Sequence, residues 1–223
     1  MFKFLKNRED LKEIVARASK DCTPAPNKIF RAMMPVEQIR VVIVGQDPYP
    51  QPGVATGRAF EVGGLTDWHT PFRQISLKNI VRLLYASETN ANPYEYPYRR
   101  ILQEMDEGHF WMLPPNRLFE YWQSEGVLLL NASLTCQVRM PGSHEELWSG
   151  LCRDLMHYVE DAVHPVWFLW GTSARKYAGF RNTCPSRHPM MCAPKWEDDF
   201  LKNPCFHQTA SLVDWLGKEV RDV

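Results

Sequence analysis

The sequence lacks a C-x-x-C pair, although it contains six cysteines: Cys22, Cys136, Cys152, Cys184, Cys192 and Cys205. Zinc ribbons and most iron–sulfur frameworks use such a pair, so the spacing predicts neither a structural metal nor a cluster. We expect no cofactor. A chain of this size is expected to keep such thiols free and reduced in an intracellular compartment.

An excess of charge of one sign is also lacking, since 26 basic and 26 acidic residues give a formal net charge of zero. An anionic partner must therefore be met by a local patch or by neutral donors. No apolar run approaches the roughly 20 residues of a membrane span, and we expect no membrane association. Residues 1–20 are too polar for the core of a secretory signal and predict a short amphipathic helix. We expect a location in the cytoplasm if the source is bacterial or viral, and in the nucleus if it is eukaryotic.

Repeats, low-complexity tracts and linkers are absent too, and 223 residues suffice for one well-buried core. We therefore predict a single domain over residues 1–223. Short apolar runs predict buried strands at 39–44, 126–131 and 165–171. Apolar periodicity predicts helices at 76–86, 117–123, 145–163, 172–179 and 209–216.

Two further local features complete the predicted elements. Ser143 is the expected N-cap of the helix at 145–163, with Glu146 three residues on. Residues 87–116 are rich in turn residues and aromatics and predict an irregular excursion with one helical turn. The aromatics there predict either a cover for a sheet edge or a partner surface: Tyr94, Tyr96, Tyr98, Phe110 and Trp111.

Buried strands that alternate with helices predict a three-layer α/β/α sandwich around a short, mostly parallel central sheet. Ligands of open α/β sheets bind just beyond the carboxyl ends of the strands. Polar residues follow each predicted strand at that place, in the segments 45–49 and 171–173 and at Asn131. This convergence predicts a functional site at the carboxyl edge of the sheet.

The segment VVIVGQDPYPQPGVATGRAF, residues 41–60, places a carboxylate between a glycine turn and two prolines. Asp-Pro alone is typical of a turn whose aspartate accepts backbone N–H groups. The position of Asp47 at the end of a strand, beside Gln46 and an aromatic, favours a functional carboxylate instead. The segment resembles the water-activating motif of the classical uracil-DNA glycosylases (family 1). The usual form of that motif is Gly-Gln-Asp-Pro-Tyr-His, followed by a glycine and a phenylalanine at this spacing.

The resemblance extends over most of the chain. IFRAMMPVEQIR is similar to the family's lead-in to the first strand, and further motifs follow in family order: ISLKNIVRLL, YWQSEGVLLLNASLT, GSHEELW, WFLWGTSARK and HPMM. This resemblance implies the uracil-DNA glycosylase fold. It also implies a monofunctional hydrolase that cuts the N-glycosidic bond of uracil flipped out of single- or double-stranded DNA, the first step of base excision repair.

The resemblance implies two catalytic residues. Asp47 would orient or activate the hydrolytic water and stabilise positive charge on the deoxyribose, because cleavage passes through an oxocarbenium-like state. His188 would donate a hydrogen bond to uracil O2 and stabilise the departing anion.

The resemblance also implies a pocket for the flipped base. The backbone N–H of Gln46 would contact the base, and Tyr49 would pack against uracil C5 and leave no room for the methyl group of thymine. Phe60 would stack on the ring. Asn131 would read its amide edge with one donor and one acceptor.

Contacts with the DNA backbone are implied for four residues, namely Pro48, Ser76, Thr172 and Pro189. Two positions depart from the family. Pro50 replaces the last histidine of the motif and offers neither an N–H nor a side-chain donor, and Met190 replaces a serine hydroxyl. Together with the zero net charge, these losses predict a modest affinity for DNA and leave room for a protein partner or inhibitor.

The family's leucine wedge, which fills the gap left by the flipped base, is missing as well. The corresponding stretch is MCAPKW, with Cys192 nearest in register. Met190 or Met191 could serve as the wedge, because flexible apolar side chains insert between bases. Trp196 is a further candidate.

Two alternative functions remain open from the sequence. Pro50 and Met190 favour a glycosylase fold retained as a weakly active or inactive DNA-binding or adaptor module, whereas the presence of Asp47, Asn131 and His188 opposes it. A glycosylase for another modified base is opposed by Tyr49 when the base carries a large 5-substituent. An unrelated nucleotide-binding protein is disfavoured, since neither G-x-G-x-x-G nor G-x-x-x-x-G-K-[ST] occurs.

Overall fold

A computed structural model describes residues 1–176 and 179–220. The strands within these ranges are β1 (Cys22–Thr23), β2 (Val41–Gly45), β3 (Val127–Asn131), β4 (Cys136–Gln137), β5 (Val166–Trp170) and β6 (Asn182–Ser186). The helices are α1 (Phe2–Lys6), α2 (Leu11–Ala18), α3 (Ile75–Thr89), α4 (Tyr98–Asp106), α5 (Pro115–Ser124), α6 (Glu145–Val163), α7 (Thr172–Arg175) and α8 (Cys205–Gln208). Short 3-10 helices lie at Pro26–Lys28, Val36–Gln38, Phe200–Lys202 and Lys218–Val220.

The main sheet has four parallel strands in the order β3-β2-β5-β6. Every residue of β2 and β3 is buried, as expected for strands of a parallel sheet that is covered on both faces. β1 and β4 form a separate antiparallel pair.

Two apolar clusters cover the two faces of the main sheet. Val41 and Ile43 point to one face, where they join side chains of α3, α4, α5 and α8. Val42 and Val44 point to the other face and join side chains of α1, α2, α6 and α7. Successive strand residues thus face opposite layers, which is the period of two that a strand imposes. The predicted three-layer α/β/α sandwich is confirmed.

The three predicted strands are confirmed to within two residues at each end. β6 was not predicted, because its sequence NTCPS is polar at both ends and contains Pro185. Proline is tolerated there since β6 is an edge strand of the sheet. The segment that carries the predicted catalytic residue His188 follows this strand directly.

The irregular excursion predicted at 87–116 contains more helix than the single turn expected, namely the nine-residue helix α4. Its aromatic side chains pack on α3, where the ring of Tyr85 lies 4.8 Å from that of Tyr96 and 5.1 Å from that of Phe110. These aromatics therefore contribute to the core beside α3.

The predicted helix at 209–216 is wrong. α8 ends at Gln208, and the hydroxyl of Thr209 accepts a hydrogen bond from Nε1 of Trp215 at 3.0 Å across the turns that follow. Val213, Trp215 and Leu216 are buried, so the apolar spacing reflects core packing without a helix.

Three smaller corrections concern helix ends. The N-cap of α6 is His144, and Oγ of Ser143 instead accepts the backbone N–H of Gln137 at 2.7 Å. Residues 1–20 form two helices, α1 and α2, in place of one. α7 covers the start of the predicted helix at 172–179, of which residues 177 and 178 lie outside the described ranges.

No helix among residues 1–176 and 179–220 is long and apolar enough to cross a membrane.

Candidate active site

A cleft of about 410 Å³ opens at the carboxyl ends of the parallel strands. Nine residues singled out from the sequence line it, namely Gln46, Asp47, Pro48, Tyr49, Phe60, Ser76, Asn131, His188 and Met190. The variant position Pro50 lines it as well. Four other predicted site residues are not among the lining residues: Thr172, Pro189, Met191 and Cys192.

The floor of the cleft is fixed by the pairing of β2 with β3. Gly45 is the register partner of Asn131, and the backbone N–H of Ala132 donates to the carbonyl of Gly45 at 2.9 Å. A Cβ atom on Gly45 would lie 2.2 Å from Oδ1 of Asn131. The glycine is therefore needed for close approach, because any side chain there would displace the asparagine amide.

The amide of Asn131 is 95% buried and faces the cleft. None of the residues that the structure describes donates to it or accepts from it. A buried amide without a protein partner offers one donor and one acceptor to a ligand that carries the complementary pair. The edge of a uracil ring, with its N–H and adjacent carbonyl, is such a ligand.

Asp47 is held by the segment between β4 and α6. The backbone N–H of Gly142 donates to its Oδ2 at 2.5 Å. Burial raises the pKa of the Asp47 carboxyl above its ordinary value, the Gly142 hydrogen bond opposes this, and the charge of Glu145 adds to it. The result is a partly desolvated carboxylate whose direction is fixed. Sequence reasoning missed Gly142, because Pro-Gly-Ser has the signature of any surface turn.

Tyr49 and Phe60 form one wall. The hydroxyl of Tyr49 donates to the carbonyl of Phe60 at 3.5 Å, and the Phe60 backbone has a positive φ of 64°. The Phe60 ring lies 5.5 Å from the ring of Trp170 and 6.1 Å from that of His188. Positive φ is costly for a bulky residue, so the surrounding packing must hold Phe60 in place. Its ring face offers a planar ligand a surface for stacking.

His188 follows β6, which is the edge strand opposite β3 in the sheet. Its Nδ1 accepts the backbone N–H of Met190 at 3.1 Å, so the neutral ring carries its proton on Nε2. Burial lowers the pKa of His188, which keeps the ring neutral near pH 7. Gly171 has no side chain and therefore leaves room for this ring. A Cβ atom at that position would lie 3.2 Å from Cδ2 of His188. The site thus presents a neutral N–H donor.

A buried polar network supports the segment that carries His188. Nδ2 of Asn79 donates to the carbonyl of Pro189 at 2.6 Å, and the Arg82 guanidinium donates to Oδ1 of Asn79 at 2.9 Å. The carboxylate of Asp199 accepts the backbone N–H of Ala193 at 2.7 Å and the hydroxyl of Tyr94 at 2.7 Å. Sequence reasoning missed these supports, because single polar residues in a helix or an irregular segment carry no local signal.

The wedge candidates divide into two groups. Met190 and Met191 are exposed, at 55% and 54%. Cys192, the residue nearest in register, turns inward, and its thiol donates to the carbonyl of Pro189 at 3.4 Å. The guanidinium of Arg187 lies over the ring of Trp196, with its Cζ atom 4.4 Å from the ring centre.

The four residues predicted to contact the DNA backbone differ in their exposure to solvent. Ser76 is buried in the first turn of α3, and Pro48 and Pro189 are buried as well. Thr172 is exposed at the start of α7.

No family model matches the chain. Comparison with known proteins finds uracil-DNA glycosylases. That of Azobacteroides pseudotrichonymphae is 32% identical over 167 residues, which cover 73% of this chain and 64% of the relative. That of varicella-zoster virus is 37% identical over 151 residues, 66% of this chain and 41% of the relative. The chain thus spans less than two thirds of these two relatives. It covers more of the glycosylase of Parafrankia, which is 30% identical over 210 residues, 89% of this chain and 82% of the relative.

Solved structures show the same fold. UNG from Nitratifractor salsuginis matches with a TM-score of 0.62 at 20% identity, over 85% of this chain and 87% of that protein. A variant of mimivirus UNG in complex with UGI matches with a TM-score of 0.62 at 20% identity, over 84% of this chain and 67% of that protein. With the sequence relatives, these matches lead to one conclusion: the chain belongs to the uracil-DNA glycosylase family.

Proposed function

We propose that this chain is a monofunctional glycosylase that removes uracil from DNA by hydrolysis of its N-glycosidic bond. The observation that carries the proposal is that Asp47, Asn131 and His188 meet at one cleft, although they follow three different strands. Such a reaction takes place where cellular or viral DNA lies, so the proposal includes an intracellular location.

The base would bind between the Phe60 ring and the end of β3. Asn131 would pair with the N–H and a carbonyl of uracil, and the backbone N–H of Gln46 would donate to the base. Tyr49, tied to the Phe60 carbonyl, would close the space beside C5 and exclude thymine. Cytosine would leave the buried amide with mismatched hydrogen bonds, and such a mismatch rejects a ligand by roughly 10⁴-fold.

Cleavage moves the bonding electron pair from the glycosidic bond onto the base, which leaves as an anion, and positive charge develops on the sugar. The Nε2–H of neutral His188 would donate to O2 of the departing base, and the carboxylate of Asp47 would stabilise the sugar. The oxygen of a water molecule then bonds to the sugar carbon, and its proton passes to Asp47. The proton on Asp47 is then released to solvent and the uracil anion takes one up from solvent, so the products are free uracil and an abasic site.

The strand around the uracil would be held by the first turn of α3 with Ser76, by Thr172, and by the backbone at Pro48 and Pro189. Met190 or Met191 would enter the gap left by the flipped base, since both are exposed and Cys192 turns inward. A protein partner or inhibitor remains part of the proposal, because a mimivirus protein of the same fold forms a complex with UGI.

The test is the release of uracil from a single-stranded oligonucleotide under single-turnover conditions. Wild type should release it, and Asp47→Asn should be slower by roughly 10³-fold because the charge is lost while the shape is kept. Asp161→Asn, on the exposed face of α6, is the matched control and should keep the wild-type rate. If wild type released no uracil, the adaptor or DNA-binding alternative would replace this proposal.

A further inference from the structure

Large apolar side chains are rarely exposed among the described residues of this chain. Only five are, and four have more than half of their surface exposed: Ile75 at 52%, Met140 at 55%, Met190 at 55% and Met191 at 54%. The fifth, Leu212, is 37% exposed. Scattered apolar residues are ordinary on a protein surface, whereas a group of them in one place marks an interaction site.

Two of these four side chains line the cleft, and the other two belong to residues next in sequence to a lining residue. Ile75 and Met190 line it, and Met191 follows Met190 directly. Met140 precedes Pro141, which lines the cleft as well. They belong to three segments, which are the start of α3, the stretch between β4 and α6, and the stretch after β6. We call these four residues the apolar rim.

The chemistry of the apolar rim does not suit phosphate groups. Thioether and alkyl side chains offer no hydrogen-bond donor, and the neighbouring Pro50 has no N–H. Two cations stand beside the rim, Arg73 in the cleft lining and Arg139, whose backbone N–H donates to the carbonyl of Pro50 at 2.7 Å. Among the described residues, neither guanidinium forms an ion pair with a carboxylate.

A DNA strand that delivers one base into the cleft must cross this rim with its neighbouring nucleotides. The faces of bases are flat and apolar, and they pack well against Met and Ile side chains once they are unstacked. Bases paired in a duplex keep their faces covered by stacking. The rim therefore matches the exposed faces of unpaired bases.

We propose that the apolar rim binds the faces of the unpaired bases that flank the flipped uracil. The inference rests on the proposed function, because it assumes that a uracil enters the cleft. Ile75 and Met140 thereby become substrate-binding residues.

The experiment compares two single-stranded oligonucleotides. One carries a central deoxyuridine between ordinary nucleotides, and in the other the flanking nucleotides are tetrahydrofuran spacers that keep the phosphates and lack the bases. For wild type, removal of the bases should raise the KM of uracil release about tenfold and leave kcat within a factor of about two.

The variant Ile75→Ala/Met140→Ala should raise KM for the ordinary oligonucleotide by a similar factor. The KM of this variant should differ little between the two oligonucleotides, because the variant has already lost the contacts with the flanking bases that the spacers remove. Leu212→Ala, the matched control from outside the rim, should behave as wild type with both oligonucleotides. Thermal unfolding should give the same midpoint for all of these proteins, since the substituted side chains are exposed.

Two results would overturn the proposal. One is an unchanged KM for wild type with the spacer oligonucleotide. The other is a wild-type KM for the rim variant with both oligonucleotides, which would assign the rim to a protein partner. Failure of the proposed function looks different, because wild type would then release no uracil from either oligonucleotide.

Discussion

The floor of the cleft comes from strand ends that backbone hydrogen bonds hold in register, whereas its mouth comes from three segments whose side chains reach into solvent. Gly45, Asn131 and Asp47 are placed by the pairing of β2 with β3 and by the N–H of Gly142. Ile75 and Met140 at the mouth have apolar side chains that are more than half exposed. The floor can therefore hold reacting groups accurately, and the mouth can accept a strand of variable shape.

After Asp47→Asn, the largest effect is expected at the floor, for Gly45→Ala. The new Cβ would lie 2.2 Å from Oδ1 of Asn131 and must displace the amide that we propose reads the base. We expect kcat/KM for uracil release to fall roughly 10- to 100-fold, because a misplaced amide leaves a buried polar edge unpaired. Gly150→Ala in α6 is the matched control, since nothing lies within 4 Å of its added Cβ. Equal activity of the two variants would mean that the close approach of Gly45 to Asn131 is not needed to place the asparagine amide.

The next prediction concerns how kcat/KM for uracil release depends on pH. Burial raises the pKa of Asp47, so the carboxylate takes up a proton at a higher pH than an ordinary aspartate does. We expect kcat/KM to fall about tenfold per unit as the pH drops below that raised pKa. Burial lowers the pKa of His188, so the ring stays neutral to a lower pH than an ordinary histidine does. A pH–rate profile checks this, and a fall in rate that begins only below the ordinary pKa of an aspartate would contradict it.

The same shift has a consequence for stability. A carboxyl whose pKa is higher in the folded protein than in the unfolded chain destabilises the fold once it is ionised. The loss grows as the pH rises from the unfolded-state pKa to the folded-state pKa and is complete above it. Asp47→Asn removes that charge. Its unfolding midpoint at pH 7 should therefore equal or exceed that of wild type, and the difference should vanish in acid.

The smallest effect is expected where the mouth is supported, for Tyr94→Phe. This change removes the 2.7 Å hydrogen bond to Asp199, which holds the segment after His188. We expect KM to rise about two- to fivefold with little change in kcat, because the reacting groups on the floor are untouched. Tyr98→Phe loses a hydrogen bond of the same length, to the carbonyl of Trp68 away from the cleft, and is the matched control. A decrease in kcat larger than the increase in KM would show that this hydrogen bond also positions the reacting groups on the floor.

The residues of the floor were predictable from the sequence because parallel strands end at a common edge. Asp47 and Asn131 each follow a continuous apolar run, so their proximity needs no knowledge of distant contacts. The supports were not predictable. The hydrogen bond from Asn79 to Pro189 joins residues 110 positions apart, and no local spacing in the sequence predicts that they meet. β6 escaped prediction for a related reason, since an edge strand with a proline lacks the apolar run that identifies a central strand.

Met140 and Gly142 lie two residues apart in the same short segment, one at the mouth of the cleft and the other bonded to Asp47. An engineer who lengthens, shortens or replaces this loop to change how a strand is gripped also changes the donor that aims the carboxylate. Exchange of whole loops between relatives is therefore a poor route to new specificity here. Point substitutions that keep the glycine leave that donor in place.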